Sequence, residues 1–323
     1  MHVLSRRSFV VSAAAATAAF GLKGPMAFIG SAEAQTGAEV PKFARFKVGD
    51  LEVTQLYDGI WQKAHDAAFI KNATIEDTKK ALQAGNLPDA HVPITFTVTV
   101  VRSGGKTVMF DAGTGGQAAP TAGLMMKESM QAAGIDPKSI STIVMTHFHP
   151  DHVFGLMTKD TNAQVFPDAE ILVPATEYKY WTDAAETAKL PEARQGLAKR
   201  LQATLPSWKN VKQVENDTEV APGIRSVPTN GHTPGHTSFL VSSGNDQLMV
   251  LGDVSNVPAL FVRNPGWHAA FDQDASMAEE SRRKMFDRVV ADGLTVTGYH
   301  FGMPGAGKIA KDGNGYAYTP IAI

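Results

Sequence analysis

The stretch THFHPDHVFG (residues 146–155) places three histidines and an aspartate within six positions. It follows the apolar run ISTIVM (Ile140–Met145), whose β-branched, uncharged composition predicts a short buried strand. Residues i and i+2 of an extended chain project to the same side. His147 and His149 are therefore expected to point together from the end of this strand.

The extended run ends at Pro150, and Asp151 and His152 then fall at a predicted helix start. Four polar side chains that converge at a strand end are difficult to satisfy without a metal ion. The alternative is an ordinary polar loop, which places no such demand on its surroundings. We predict a metal site here.

Three later stretches carry further candidate ligands at predicted strand-to-loop boundaries. TNGHTPGHTSF (residues 229–239) supplies His232 and His236, LMVLGDVSN (248–256) supplies Asp253, and LTVTGYHFG (294–302) supplies His300. Each couples an apolar strand with a polar residue at its exit. The sequence alone does not decide which of the two histidines in GHTPGH faces the site.

The composition narrows the chemistry of any such site. The chain has no cysteine, so both disulfides and thiolate metal ligands are excluded. Imidazole and carboxylate ligands suit Zn²⁺ and also Mn²⁺, Fe²⁺ or Co²⁺. A hydrophobic content of 43% describes an ordinary globular protein, and a net charge of −2 argues against nucleic acid as a partner.

The N-terminus predicts an exported protein. SRRSFV (residues 5–10) is a twin-arginine pattern, and the apolar run up to Leu22 is too short to span a membrane. Cleavage is expected after Ala34, which makes residues 1–34 a signal peptide and residues 35–323 one domain. We expect the twin-arginine machinery as a partner, a periplasmic location and no membrane attachment after cleavage. An anchored N-terminal helix is the alternative.

The mature chain predicts an α+β fold in which two mixed sheets lie face to face with helices on both outer sides. We predict a hairpin that turns at Gly49 and another at Gly104. The other predicted strands are Ile140–Met145, residues 169–174, Ile224–Pro228, Thr237–Val241, Gln247–Leu251 and residues 294–300, and the predicted helices are Thr121–Ala133, Ala175–Asp183, Glu192–Leu205 and Ser276–Ala291.

The motif H-x-H-x-D-H at residues 147–152, together with GHTPGH, LGD and GYHFG, resembles the metallo-β-lactamase superfamily. HPDHVFGL, GHTPGHT and the late GYHFGMPGAGKI are most similar to its methyl parathion hydrolase and N-acyl-homoserine lactonase branch. The resemblance implies the αββα sandwich and two divalent ions, most simply Zn²⁺. It places one ion on His147, His149 and His232, the other on Asp151, His152 and His300, and Asp253 between them as a bridge.

The same resemblance implies roles for the residues around the ions. Asp151 and Asp253 would be catalytic, and His236 would support a ligand or loop without binding metal. Trp181, Trp267 and Phe271 are candidate pocket residues. The branch has a bulky aromatic residue where this chain reads DAGTGGQAAPT, with Ala118 and Ala119, so we expect an incomplete aromatic wall.

The implied activity is hydrolysis of lactone or aryl-ester carbonyls by a hydroxide that bridges two ions. Organophosphate triester hydrolysis is the first alternative. A glyoxalase-II-like thioesterase and a non-catalytic metal-binding protein are weaker ones. The expected partner is a small ester, lactone or phosphotriester. The sequence leaves open whether the chain forms a homodimer.

Overall fold

The computed structural model describes residues 40–103 and 105–322, so the predicted signal peptide lies outside the described residues. Two seven-stranded sheets form in this part of the chain, and each contains its strands in sequence order. The first sheet consists of β1 (Phe43–Val48), β2 (Leu51–Lys63), β3 (Val92–Ser103), β4 (Lys106–Phe110), β5 (Thr142–Val144), β6 (Glu170–Pro174) and β7 (Val211–Val214). The second consists of β8 (Glu219–Ala221), β9 (Ile224–Pro228), β10 (Thr237–Ser243), β11 (Asp246–Val250), β12 (Thr295–Thr297), β13 (Ala306–Asp312) and β14 (Gly315–Pro320).

Both sheets are mixed. In the first sheet β1 to β4 pair antiparallel, and β4 to β7 pair parallel. In the second sheet only β11 and β12 pair parallel among the described strands. The parallel pairs β4–β5 and β11–β12 matter most, because the loops after parallel strands leave the same edge of a sheet.

Helices connect the strands. They are α1 (Ile75–Ala84), α2 (a π-helical turn at Met125–Ser129 continued by Met130–Ala132), α3 (Pro150–Val153), α4 (Ala175–Thr182), α5 (Ala184–Thr187), α6 (Glu192–Thr204), α7 (Pro258–Phe261) and α8 (Ala275–Ala291). Short 3₁₀ turns occupy Pro137–Ser139, Phe154–Leu156 and Leu205–Ser207. Within the described ranges, none of the helices combines the length and the apolar character needed to cross a bilayer.

The order of layers follows from how the apolar residues alternate along the strands. Val144 in β5 packs between the sheets, in a cluster where the rings of Phe110 and Phe239 lie 5.6 Å apart. Its neighbours Ile143 and Met145 face the opposite way, into a cluster shared with helices α2, α4 and α6. Helix α8 covers the outer face of the second sheet. The central strands are thus buried on both faces, between the two sheets and under the helices. The predicted αββα sandwich is confirmed.

Several predicted boundaries move. The predicted strand at Ile140–Met145 shortens to Thr142–Val144, because Met145 already belongs to the loop that carries the first histidines. The helix expected from Thr121 begins only at Met125, whose backbone N–H donates to the buried Asp58 carboxylate at 2.8 Å. Helix α1 and strands β7, β8, β13 and β14 were not predicted.

Candidate metal centre

The loop between β5 and α3 carries the first histidines. His147 lies in the loop after β5 and is fully buried, with its Nδ1 2.9 Å from the Thr146 hydroxyl. His149 directly precedes α3, whose first residue is Pro150. Proline suits that position because its fixed φ matches a helix and its missing N–H has no partner there. The turn therefore directs four side chains of one short segment towards a common point.

One group of ligands consists of His147, His149 and His232. Their candidate ligand atoms lie within 4.8 Å of one another. His149 Nδ1 and His232 Nε2 are 2.8 Å apart, and the three ring centroids are separated by 4.6–4.8 Å. This group brings the loop after β5 together with the loop between β9 and β10.

A second group consists of Asp151, His152 and His300, again within 4.8 Å. The Asp151 Oδ2 atom lies 3.4 Å from His300 Nε2 and 3.6 Å from His152 Nε2. His300 comes from the segment after β12. The two groups therefore draw on both sheets, at the edge where the strands of each sheet end.

The carboxylate of Asp253 lies between the two groups. Its Oδ2 is 3.3 Å from His232 Nε2 and 3.0 Å from His300 Nε2, while its Oδ1 is 3.3 Å from His152 Nε2. Asp253 follows β11 and is buried. All seven residues predicted as ligands are thus brought to one place, and Asp253 touches both sets.

Among the residues that the structure describes, three buried atoms at the centre have no hydrogen-bond partner. They are His147 Nε2, His152 Nε2 and Asp253 Oδ1. Buried polar atoms are almost always satisfied, so such a cluster needs a partner that the protein itself does not supply. Nitrogen and carboxylate oxygen are the ligands that zinc and related divalent ions accept. The residues therefore fit a divalent cation.

The electrostatics agree with this. Burial lowers the pKa of His147 and of His149 well below the usual value, which keeps both imidazoles neutral as metal ligands must be. For His152 burial also lowers the pKa, but the carboxylates of Asp253, Asp111 and Asp151 outweigh it and raise the pKa well above normal. The three carboxylates therefore favour a positive charge on this side of the centre, as a bound cation would supply.

Hydrogen bonds from outside the cluster orient the ligand rings. His152 Nδ1 lies 2.8 Å from Asp111 Oδ2, and His232 Nδ1 lies 2.8 Å from Asp272 Oδ1. His300 Nδ1 lies 2.7 Å from the carbonyl of Thr95. Partners of this kind fix the tautomer and leave the other ring nitrogen free to bind.

Two of these partners are themselves held in place. Asp111 has a left-handed backbone (φ 62°) and accepts from the Thr146 N–H at 2.7 Å. Asp272 lies 3.2 Å from the guanidinium of the buried Arg282. Neither aspartate was predicted from the sequence to belong to the site. Asp111 carries the signal used for the ligands, a polar residue at a strand exit, whereas Asp272 lies in a loop without such a mark.

Glu177 in α4 joins the two loops that carry the first ligand group. Its Oε1 accepts from the Phe148 N–H at 2.9 Å and from the indole N–H of Trp181 at 2.7 Å. Its Oε2 accepts from the Thr233 hydroxyl at 2.7 Å and from the Gly235 N–H at 2.9 Å. Burial raises the pKa of Glu177, and these four hydrogen bonds counteract that rise. No sequence pattern marks this residue.

A cavity of about 410 Å³ opens above the centre. Trp181 and Phe271 line it as predicted, although the Trp181 indole is otherwise fully buried. Trp267 departs from the expectation, since it is not among the described residues that line the cavity and instead packs, half-buried, against the core. Its loop is held from behind, since the Trp267 carbonyl accepts from Arg282 at 3.0 Å.

The expected gap in the aromatic wall is also corrected. Ala118 lines the cavity, but Ala119 turns into the core. Aromatic rings arrive from other segments that the sequence analysis did not connect with the site, namely Trp61 at the end of β2 and Phe154 after α3. The Trp61 and Phe271 rings lie 6.2 Å apart. The wall is therefore aromatic after all.

Comparison with known proteins agrees with this geometry. A family model for the metallo-beta-lactamase superfamily matches residues 97–292. An N-acyl homoserine lactonase of a Bacillus species is 26% identical over 155 residues, which is 48% of this chain and 54% of the relative. The lactonase AttM of Agrobacterium fabrum is 26% identical over 132 residues, 38% of this chain and 44% of the relative. The chain thus spans about half the length of the curated relatives it matches.

Two solved structures have a similar fold over most of their length. AidC, a dizinc quorum-quenching lactonase, gives a TM-score of 0.81 at 26% identity and covers 87% of this chain and 98% of its own. The hydrolase AbOPH also gives 0.81, at 24% identity, with 88% and 99% covered, and shows the fold alone. Because the family model matches more than half of the chain and the fold agrees, the protein belongs to the metallo-beta-lactamase superfamily.

Proposed function

We propose that this protein is a dinuclear metal-dependent hydrolase that opens lactones or cleaves aryl esters. The observation that carries the proposal is the position of Asp253, whose Oδ2 lies 3.3 Å from His232 Nε2 of one ligand group and 3.0 Å from His300 Nε2 of the other. A single ion would need only one of these groups. A shared carboxylate between two complete groups is the arrangement that two ions require.

In this proposal one ion is held by His147, His149 and His232, and the other by Asp151, His152 and His300. Zinc is the simplest choice for this ligand set. When bound, two such ions supply Lewis acidity and bring the pKa of a water molecule close to neutrality.

The protein's own residues supply positioning and proton transfer. Asp151 keeps 20% of its side chain exposed and lines the cavity, so its carboxylate can take up the proton released by the attacking water. The same oxygen can return that proton to the alcohol oxygen that leaves. Tyr299 fixes Asp151 from behind, because its hydroxyl donates to the Asp151 carbonyl at 2.6 Å and its ring stacks on His152 at 3.8 Å.

The cavity walls favour a substrate that joins a small reactive ring to an apolar group. Ile94, Phe96 and Leu197 provide aliphatic and aromatic surface beside Trp61 and Phe271. Lactonases among the relatives and AidC among the solved structures act on substrates of this description. Their activity supports the proposal, although the sequence relatives share only part of their length with this chain.

A substrate panel on metal-loaded protein tests the proposal. The panel should contain an acyl homoserine lactone, an aryl acetate, a phosphotriester and a glutathione thioester, with proton release followed at constant pH and metal content measured on the same sample. We expect two ions per chain and fastest turnover of the lactone or the aryl ester. A sample with two zinc ions that hydrolyses only the thioester, or nothing, contradicts the proposal.

A second candidate is the hydrolysis of aryl phosphotriesters. The aromatic rings of Trp61 and Phe271 favour it, because they offer flat surface to a leaving aryl group. The phosphotriester in the panel decides between the two candidates.

We also propose that the chain is exported to the periplasm by the twin-arginine route, on the basis of Arg6 and Arg7. Replacing both arginines with lysine should retain the uncleaved precursor in the cytoplasm. N-terminal sequencing of the periplasmic form is expected to begin near Gln35. An unchanged distribution of the double variant contradicts export by this route.

A further inference from the structure

Arg194 is the cavity's single lysine or arginine among the described residues that line it. It comes from the first turn of α6, and Ala193 and Leu197 of the same helix also face the cavity. Within residues 40–103 and 105–322, no predicted metal ligand and no hydrogen-bond partner of such a ligand forms a hydrogen bond or an ion pair with Arg194. The mechanism proposed above gives this side chain no task.

Among the described residues, the Arg194 guanidinium donates hydrogen bonds to only two protein groups. Its Nη2 donates to the backbone carbonyls of Ala270 at 3.0 Å and Phe271 at 3.4 Å. Within the part of the chain that the structure describes, no carboxylate lies within ion-pair distance of it, and its Nε and Nη1 have no protein acceptor. Arg194 is nevertheless half-buried. The donors without a protein acceptor are not among the fully buried atoms, so water can reach them and a substrate oxygen can take the place of that water.

The surroundings indicate what the occupant would be. Arg194 lines a cavity whose other described ionisable groups all belong to the candidate metal centre, namely His149, Asp151, His232, Asp253 and His300. A guanidinium binds carbonyl and carboxylate oxygens through several donors in one plane. A substrate oxygen that lies apart from the scissile bond would satisfy these donors and fix the substrate's orientation.

We propose that Arg194 is a specificity-determining residue that binds an acceptor oxygen, carbonyl or carboxylate, on the part of the substrate that is not cleaved. The proposal rests on the hydrolase function proposed above. It assigns substrates that combine a lactone or ester with such an oxygen, for example an acylated amino-lactone. A plain alkyl lactone of the same size lacks the oxygen and makes no use of Arg194.

The test compares three lactones of equal chain length: one with an amide carbonyl beside the ring, one with an unbranched alkyl chain, and one whose alkyl chain ends in a carboxylate. Arg194→Met keeps an unbranched apolar side chain and removes the donors, and Arg194→Gln is a second variant that keeps one amide donor group. Lys199→Met is the matched control, because Lys199 lies on the same helix and is exposed. The ratio of kcat/KM values between lactones is measured within each variant, so a partial loss of folded protein cancels.

For Arg194→Met we expect kcat/KM to fall about 10- to 100-fold for the lactone whose oxygen Arg194 binds, mainly through KM, and less than about threefold for the alkyl lactone. A selective loss with the amide identifies a carbonyl, and a selective loss with the third lactone identifies a carboxylate. Lys199→Met should leave all three ratios unchanged. Equal losses for the three lactones overturn the role of Arg194 and leave the hydrolase function intact, whereas a wild-type protein that opens none of them overturns both.

Discussion

His236 holds Asp253 from behind: its Nε2 accepts a hydrogen bond of 2.9 Å from the backbone N–H of Asp253. The other ring nitrogen, Nδ1, lies 2.9 Å from the hydroxyl of Thr229. Both nitrogens are therefore engaged, and burial lowers the pKa of His236 to about 3, so the ring stays neutral. The histidine positions the carboxylate between the two ligand groups and has no nitrogen left for a metal ion.

The first prediction separates this supporting role from that of a ligand. In His236→Ala the Asp253 N–H loses its acceptor and the loop loosens, but every ligand remains. We expect metal affinity or activity to fall about 10- to 100-fold, as is typical when the partner of a ligand is removed. Zinc titration and lactone turnover measure the two quantities, and His91→Ala, which lies outside the site, is the control.

Asp253→Ala should be far more severe. It removes a carboxylate that contacts both ligand groups. The negative charge that would offset the repulsion between two bound cations is lost with it. We expect elemental analysis to find neither ion at stoichiometric occupancy and activity to fall below detection. If His236→Ala abolishes activity to the same extent, the assignment of His232 as the ligand of GHTPGH is unsafe.

Metal removal should cost stability as well as activity. A ligand that binds only the folded state at 100 times its Kd adds about 2.7 kcal/mol to the free energy of unfolding. Dialysis against a chelator should therefore lower the Tm, and zinc should restore it with a break at two equivalents. A break at one equivalent, with full activity, would falsify the dinuclear proposal.

Glu177 should be important for folding without contacting any substrate. Glu177→Ala leaves four buried donors without an acceptor, three on the two loops that carry the first ligand group and one in α4 itself, the Trp181 indole. Each unsatisfied buried donor costs about 1–3 kcal/mol, so the metal-free variant should lose at least about 3 kcal/mol of unfolding free energy. Urea unfolding measures this loss, with the exposed Glu192→Ala as the control. A loss below about 1 kcal/mol means that water replaces the carboxylate.

The sequence predicts that the seven candidate ligands lie close together, because the segments that carry them follow apolar strands. The segments with His147, Asp253 and His300 leave β5, β11 and β12, and parallel pairing brings such exits to one edge of a sheet. The layered fold follows from the same strands, since Ile143 and Val144 are apolar on opposite faces.

The parts that the sequence does not reveal depend on distant segments that meet only in the folded chain. Trp61 reaches the cavity from the end of β2, more than 200 residues from Phe271 in the sequence. Glu177 is one carboxylate among several on exposed helices until α4 packs against the two ligand loops. Trp267 and Phe271 look equivalent in one loop of the sequence, and the contacts that distinguish them, such as the hydrogen bonds of Arg282 to the Pro265 and Trp267 carbonyls, come from a distant helix.

The last prediction concerns the choice of substrate. The ions would serve any activated carbonyl or phosphoryl centre, so selectivity must come from the cavity walls. We expect kcat/KM for a lactone or aryl ester to exceed that for methyl parathion by at least the effect of one stacking aromatic. Such a contact contributes about 0.5–1.5 kcal/mol, which is about two- to twelve-fold in rate. The aromatic rings that line the cavity reduce the expected difference in kcat/KM between the two substrate classes, compared with what Ala118 and Ala119 alone would indicate.

Trp61→Ala measures how much one of these aromatic rings contributes to kcat/KM with aryl substrates. The Trp61 side chain lies at the mouth of the cavity with 37% of its surface exposed, so its loss should leave the fold intact. Aryl esters and methyl parathion should lose about two- to twelve-fold in kcat/KM, and alkyl lactones less. Gln62→Ala is the control, because the next residue of the strand projects to the opposite face. If the wild-type protein prefers methyl parathion and Trp61→Ala removes that preference, the phosphotriester becomes the better account of what this cavity binds.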